Sequence, residues 1–238
     1  MRHPFAPVSH PFPERHMLII FDCDGVVVDS MHLHTEVESE AYHAVGIDIS
    51  PRELALRFSG VGDAEVYRIL SQETGRAVTP DIAVEIERRK KEVFRRRLKP
   101  VAGFREALTA IDNTPRCIAS GTGVDLLHYS LGIVELYDLF VPHIYSAEMV
   151  LRGKPFPDLF LHAANEMGHA PENCVVIEDG IAGVQGGRAA GMRVFGFIGG
   201  SHCDEGHTDR LKAAGAELVF SDMRDLPALI EPATFAAI

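Results

Sequence analysis

No apolar stretch in these 238 residues approaches the roughly 20 that a membrane-spanning helix needs. The first residues also lack a signal-peptide core, so a soluble, unsecreted protein is expected, with no membrane as partner. No C-x-x-C pair occurs. The four cysteines, Cys23, Cys117, Cys174 and Cys203, lie far apart and mostly inside apolar runs such as RCIAS and NCVVIED. That is the usage of reduced, buried thiols and points to the cytoplasm. Basic charge is in deficit, 23 Lys and Arg against 34 Asp and Glu, a formal charge of -11. A polyphosphate backbone would be repelled, which excludes nucleic acid as the expected partner. Internal repeats are absent too, and compositional bias is confined to residues 1–16, MRHPFAPVSHPFPERH. Its four prolines and three histidines show no period and read as a flexible extension.

What is present is a globular composition, 46% hydrophobic, in a recurring order. Short apolar runs, MLIIFD, RCIAS, HIYSA, CVVIED, RVFGFIG and ELVFSD, each precede polar or Gly-rich residues and then a helical pattern. Buried runs alternating with helices predict an α/β fold built on a doubly wound parallel sheet. One gap breaks the rhythm. Some ninety residues separate the first run from RCIAS, too many for one crossover helix. LHTEVESEAYHAVG, DAEVYRILSQETG and TPDIAVEIERRKKEVFRRRL within it have apolar residues at helical spacing, with Gly46 and Gly75 placed as C-terminal stops. The expected organisation is therefore a core of 17–29 and 99–238, with a helical segment, 30–98, inserted after the first strand. LKPVAGF, 98–104, is the return hinge. The basic run Arg88, Arg89, Lys90, Lys91, Arg95, Arg96 and Arg97 interleaves with Glu85, Glu87 and Glu92 and reads as a solvated helix face.

The chemistry-bearing residues fall at strand ends. Asp22 and Asp24 stand two apart after MLIIF, so they project to the same side while Cys23 points to the other. Gly25 lets the backbone turn sharply after them. Two adjacent carboxylates repel, which calls for a cation or a shared proton. Ser120, Gly121, Thr122 and Gly123 follow RCIA and offer hydroxyl and backbone N–H donors for an anion. Lys154 in GKPFPD supplies a cation, and Glu178 and Asp179 after CVVI add a second carboxylate pair. Open parallel sheets bind ligands at the carboxyl ends of their strands, where all of these lie.

Taken together, FDCDG, IASGT, GKPFPD and VIEDG resemble the four motifs of the haloacid-dehalogenase-like hydrolases. The match is to the subgroup with a helical cap after the first strand, close to sugar-phosphate phosphatases and beta-phosphoglucomutase. The resemblance implies Asp22 as phosphate-accepting nucleophile and Asp24 as general acid and base. It implies Mg2+ as cofactor, held by Asp22, the Asp24 carbonyl, Asp179 and Glu178, with Ser120 and Lys154 on the phosphoryl oxygens. Dehalogenases of the superfamily lack an acid where Asp24 stands, so the expected substrate is a small phosphorylated metabolite. The sequence departs from similar sugar phosphatases at Gly121 and Gly180, where Asn and Ser are frequent, and this bears on substrate choice and rate.

Substrate selection is expected from the helical segment, through His34 and the loop Gly60, Val61 and Gly62, with Gly121 and Thr122 opposite. His34 falls where beta-phosphoglucomutase carries a histidine, so a mutase is the alternative. Asp63, where that mutase has an arginine for a second phosphate, argues against it, since a carboxylate repels a bisphosphate. A non-catalytic phospho-ligand sensor is a more distant reading. The glycines of GIAGVQGGRAAGM lack dinucleotide-loop spacing and read as close helix packing. His202, Cys203 and His207 resemble a loose zinc cluster but are read as a loop beside the site edge.

Overall fold

A computed structural model describes residues 17–231. The extension 1–16 lies outside the described residues. Six strands, β1 (Leu18–Phe21), β2 (Arg116–Ser120), β3 (Ile144–Ser146), β4 (Cys174–Glu178), β5 (Arg193–Phe197) and β6 (Leu218–Phe220), form one sheet of order β3-β2-β1-β4-β5-β6. Every pairing is parallel. Helices α1 (Met31–Ala44), α2 (Pro51–Phe58), α3 (Asp63–Thr74) and α4 (Pro80–Arg97) all lie between β1 and β2. The rest are α5 (Phe104–Ala110), α6 (Val124–Ile133), α7 (Asp158–Glu166), α8 (Ile181–Ala189), α9 (His207–Ala214) and α10 (Leu226–Leu229).

The period of two along the central strand sorts its side chains between two cores. Ile19 and Phe21 pack with Ile118, Val175 and Ile177 on one face, while Leu18 and Ile20 pack with Cys117, Ala119 and Val176 on the other. Burial on both faces is what helices on both sides of a parallel sheet impose. Phe21 is fully buried and meets Phe104 and Phe140 edge-on at 5.3 and 6.1 Å. Truncating such a ring costs about 3–5 kcal/mol, so the residue just before Asp22 is firmly anchored. The chain runs from β1 out to β2 and β3, then returns to place β4 on the opposite side of β1. Strand order reverses there, and the crevice at the carboxyl ends of β1 and β4 is the expected ligand position.

Helices α1–α4 build a third core from residues such as Val37, Tyr42, Ile47, Leu54, Leu70 and Ile86. Gly75 ends α3 in the left-handed conformation, φ +66°, with its N–H on the Ser71 carbonyl. The two chains joining this unit to the sheet run side by side. Val28 and Pro100 form an antiparallel bridge, flanked by Asp29 N–H to Lys99 O at 3.0 Å and Val101 N–H to Val27 O at 2.9 Å.

The basic run on α4 divides in two. Arg88, Lys91, Arg96 and Arg97 sit on its outer side in ion pairs with Glu85, Glu87, Glu92 and Glu36. Lys90 does not belong to a solvated face: it is 1% exposed, with its ammonium 2.6 Å from Glu38 and 3.2 Å from Asp63. The helical period explains this, because Ile86, Lys90 and Phe94 recur every four residues on the buried stripe of α4.

Candidate active site

Asp22 is the first residue beyond β1, its N–H still bonded to the Ile177 carbonyl of the neighbouring strand at 2.9 Å. The chain then folds into a tight turn, with the Val27 and Val28 N–H groups on the Cys23 carbonyl. Gly25 makes the turn possible. Its φ is +87°, and a Cβ there would lie 1.9 Å from Asp179 Oδ2, so both conformation and space demand glycine.

Asp22 and Asp24 face one site but have opposite surroundings. The Asp22 carboxylate receives the Lys154 ammonium at 2.5 Å, and the same ammonium reaches Glu178 at 2.5 Å. Burial pushes the Asp22 carboxyl well above its ordinary value; Lys154 pulls it back, and the charges of Glu178, Asp179 and Asp24 push it further up. Asp24 instead collects donors. Ser30 Oγ donates at 2.6 Å, Thr122 Oγ1 at 2.7 Å and Ser120 Oγ at 3.4 Å, and His34 Nε2 lies at 2.9 Å. Burial alone would raise this carboxyl, but His34, Ser30 and Thr122 outweigh it and hold it well below the usual carboxylate range. Ser30 belongs to none of the four motifs. Its only signal is its position in the turn, six residues after Asp24.

Lys154 has no exposed side-chain surface. Burial would lower its ammonium, but Asp22 and Glu178 reverse that and hold it above its ordinary value. Glu178 is also raised by burial, against the pull of Lys154 and of the Gly180 N–H bonded to its Oε2 at 2.8 Å. Asp22, Glu178 and Asp179 each place a carboxylate oxygen within 4.8 Å of the other two, all buried. Asp179 Oδ1 is buried with no hydrogen-bond partner among the described residues. An orphaned carboxylate oxygen beside two more carboxylates is a hard, anionic oxygen donor set, and it fits Mg2+.

The helical segment closes this sheet edge from above. His34 on α1 reaches Asp24 with Phe94 of α4 edge-on behind it at 4.9 Å. The loop after α2 carries Gly60, Val61 and Gly62 onto the strand ends. A Cβ on Gly121 would meet the Gly60 carbonyl at 3.0 Å, and one on Gly180 would meet the Ser59 carbonyl at 2.7 Å. The two departures from the family pattern are thus the places where this loop seats directly against the sheet backbone. Within the closed site a cavity of about 50 Å3 is bounded by Asp22, Asp24, His34, Glu38, Asp63 and Thr122. A larger cavity, about 770 Å3, lies on the far side of the loop and touches Asp179 but neither Asp22 nor Asp24. Asp63 and Glu38, bounding the smaller cavity, share Lys90. Asp63 is therefore a charge partly compensated within the protein, and the three groups together carry a formal charge of −1.

The fold and this constellation of two strand-end aspartates, a buried lysine and an acidic pair define a hydrolase of the phosphoryl-transfer type. The model of the haloacid dehalogenase-like hydrolases matches residues 16–191, and the chain belongs to that family. A 6-phosphogluconate phosphatase of Escherichia coli (strain K12) is 32% identical over 185 residues, covering 77% of this chain and 83% of the relative. Hexitol phosphatase B of the same organism is 28% identical over 188 residues, covering 76% and 83%. A crystal structure of a conserved haloacid dehalogenase-like protein of unknown function from Agrobacterium tumefaciens str. C58 is 42% identical, with a TM-score of 0.77 over 93% of this chain and 99% of that one.

Proposed function

We propose that the protein is a magnesium-dependent phosphatase that hydrolyses a small sugar, sugar-acid or polyol monophosphate through an aspartyl-phosphate on Asp22. The observation that carries this is the division of labour between Asp22 and Asp24. Two carboxylates two residues apart have different partners: Asp22 meets the Lys154 ammonium, which favours the carboxylate that attacks, and Asp24 meets the hydroxyls of Ser30 and Thr122 and the His34 ring, which aim it for proton transfer. The phosphatase names of the relatives support the same reaction class.

In the proposed sequence, substrate binds with its phosphoryl group against Lys154 and the Ser120 hydroxyl, which neutralise and hydrogen-bond the equatorial oxygens. An Asp22 carboxylate oxygen attacks phosphorus in line, and the bond to the leaving oxygen breaks as that oxygen takes a proton from Asp24. His34 and Ser30, 2.9 and 2.6 Å from Asp24, orient its carboxyl group for this transfer and leave it a carboxylate afterwards. Water then attacks the phosphorus of the acyl phosphate while the Asp24 carboxylate left by the first step accepts the water proton. Phosphate leaves and the Asp22 carboxylate is restored. Asp22, Glu178 and Asp179 would hold Mg2+, which supplies positive charge against the phosphoryl oxygens when bound.

The helical segment is proposed as the specificity cap. A cavity of about 50 Å3 holds a few waters at most, so a sugar phosphate enters only when α1–α4 swing away on the paired chains at 28–29 and 99–101. Closure presents Glu38 and Asp63, with the Lys90 ammonium bonded behind them, to the leaving group. Carboxylates and an ammonium suit hydroxyl recognition, whereas their net negative charge opposes a second phosphate and disfavours the mutase reading. The test is phosphate release from a panel of sugar, polyol and sugar-acid monophosphates, with Mg2+ and with chelator, and with Asp22→Asn as control. Release that needs Mg2+ and Asp22 supports the proposal; conversion of beta-glucose 1-phosphate to glucose 6-phosphate would overturn it.

A further inference from the structure

We infer that His202, Cys203 and His207 form a second metal site, for a thiophilic divalent cation of the zinc class, and that its occupation restrains the phosphoryl site through Asp179. The second half rests on the reading of Asp179 as a magnesium ligand.

The three residues come from the loop after β5 and the start of α9. Each places a ligand atom within 4.8 Å of the other two. His202 Nε2 and Cys203 Sγ are 3.6 Å apart. A nitrogen at about 2.0–2.1 Å and a sulfur at about 2.3 Å from one tetrahedral ion are separated by about that much, so this pair needs little rearrangement to bind. The His202 ring is buried, its side chain 4% exposed, and its Nδ1 has no hydrogen-bond partner among the described residues. The ligating atom is Nε2, the nitrogen that faces the thiol, held there by the buried ring. His207 is anchored by its Nε2 on the Asp179 carbonyl at 2.7 Å; its Nδ1, 3.2 Å from the Arg210 guanidinium, becomes the ligating atom when Arg210 is left to Asp204 alone, 2.6 Å away. Cys203 differs from Cys23, Cys117 and Cys174, which are buried, because it is half-buried and borders the cavity of about 770 Å3. That cavity provides an entry path and room for water as a fourth ligand.

Two nitrogens and a thiolate favour zinc over the hard magnesium ion, so the two sites select different metals by donor type. Binding releases the thiol proton and leaves a site of net positive charge. His202 Nε2 is also 2.9 Å from Asp179 Oδ2, so an ion on that nitrogen replaces this contact and has the Asp179 oxygen as its neighbour and available ligand. A cation on His202 therefore draws on the same carboxylate that the phosphoryl site needs, and zinc opposes Mg2+-dependent turnover.

Full-length protein in saturating Mg2+ is titrated with Co2+ as a spectroscopic stand-in for zinc. A thiolate-to-cobalt charge-transfer band with tetrahedral d–d absorption, reversed by Zn2+, is expected in the wild type. Cys203→Ser retains His3, His10 and His16 of the N-terminal extension, so loss of the band in that variant assigns it to Cys203. His207→Gln should weaken Zn2+ by at least about tenfold while the band survives. Melting curves check that both variants fold. Absence of the band in wild type at excess Co2+ overturns the site whether or not the enzyme is a phosphatase. Zn2+ should also inhibit phosphate release, with its midpoint raised at least tenfold in Cys203→Ser. Equal midpoints in the two proteins overturn the link through Asp179.

Discussion

The carboxyl edge of the sheet and the helical segment above it both bury charge, but by different means. At the sheet edge each charged group stands at or just beyond a strand end or in the loop beside it, and charges from β1, β4 and the loop carrying Lys154 meet at fixed parallel register. In the helical segment the buried ammonium of Lys90 meets Glu38 of α1 and Asp63 of α3, brought together only by the packing of three helices. Chemistry placed by strand order is rigid and readable along the chain. The cluster placed by helix packing, to which recognition is assigned in the proposal, is hidden in the sequence.

The comparison is broken most sharply at Asp22. Asp22→Asn is expected to reduce turnover on the order of 10⁴-fold or more on every ester, because no other group replaces the nucleophile. The same change should raise stability at neutral pH without Mg2+. A carboxyl whose folded pKa is raised costs native stability as pH climbs past its unfolded value, and asparagine removes that cost. A shift of about 2–4 °C in Tm per kcal/mol is the scale to look for, and Mg2+ should reverse the order by stabilising the wild type more. An unchanged or lower Tm in the metal-free variant would contradict this account of the crowded carboxylates.

Asp24→Asn should cost about 10²–10⁴-fold on a sugar phosphate. With an activated ester whose leaving group needs no proton, the loss in the first step should shrink, and pre-steady-state release of the alcohol would show it. Equal losses on both esters would remove Asp24 from the acid role.

Lys90→Met tests the helical side. Removing the cation leaves the partly buried Glu38 without its partner, a cost of about 1–3 kcal/mol in chemical unfolding. The kinetic effect should depend on the ester, on the order of tenfold or more in kcat/KM for a sugar phosphate and little for a small activated ester. A uniform loss would place Lys90 in the chemistry rather than in recognition.

Gly180→Ser carries the smallest expected effect. Its Cβ meets the Ser59 carbonyl at 2.7 Å, so the 59–62 loop must shift, at about 1–3 kcal/mol. A rise of a few-fold in KM with little change in kcat would show that the loop, not the phosphoryl site, absorbs the strain.

The same contrast explains what could be read in advance. All six apolar runs are strands of one parallel sheet, because burial on both faces leaves continuous hydrophobic runs in the sequence. Asp22, Asp24, Ser120, Lys154, Glu178 and Asp179 converge because each stands at or beside a strand end. Lys90 was hidden among seven basic residues, although its place four after Ile86 and four before Phe94 marks the buried stripe. Ser30 and Glu38 carry no motif, and their roles exist only once α1 is laid over the turn at Gly25. Gly121 and Gly180 stand in the motifs as departures bearing on substrate choice and rate, and the fold makes them packing requirements of the loop from α2, a contact between residues some 60 and 120 positions apart.

The central claim is that Asp22 carries the phosphoryl group between two half-reactions. Acid quench of the Asp24→Asn variant during turnover of an activated ester, followed by peptide mass analysis, tests it most directly, since the first step then needs no proton and slowing the water step alone lets an acyl phosphate accumulate. The account predicts one phosphoryl group on the peptide containing Asp22. Continued phosphate release with no phosphoryl group on that peptide at any quench time would contradict it and leave direct attack by water.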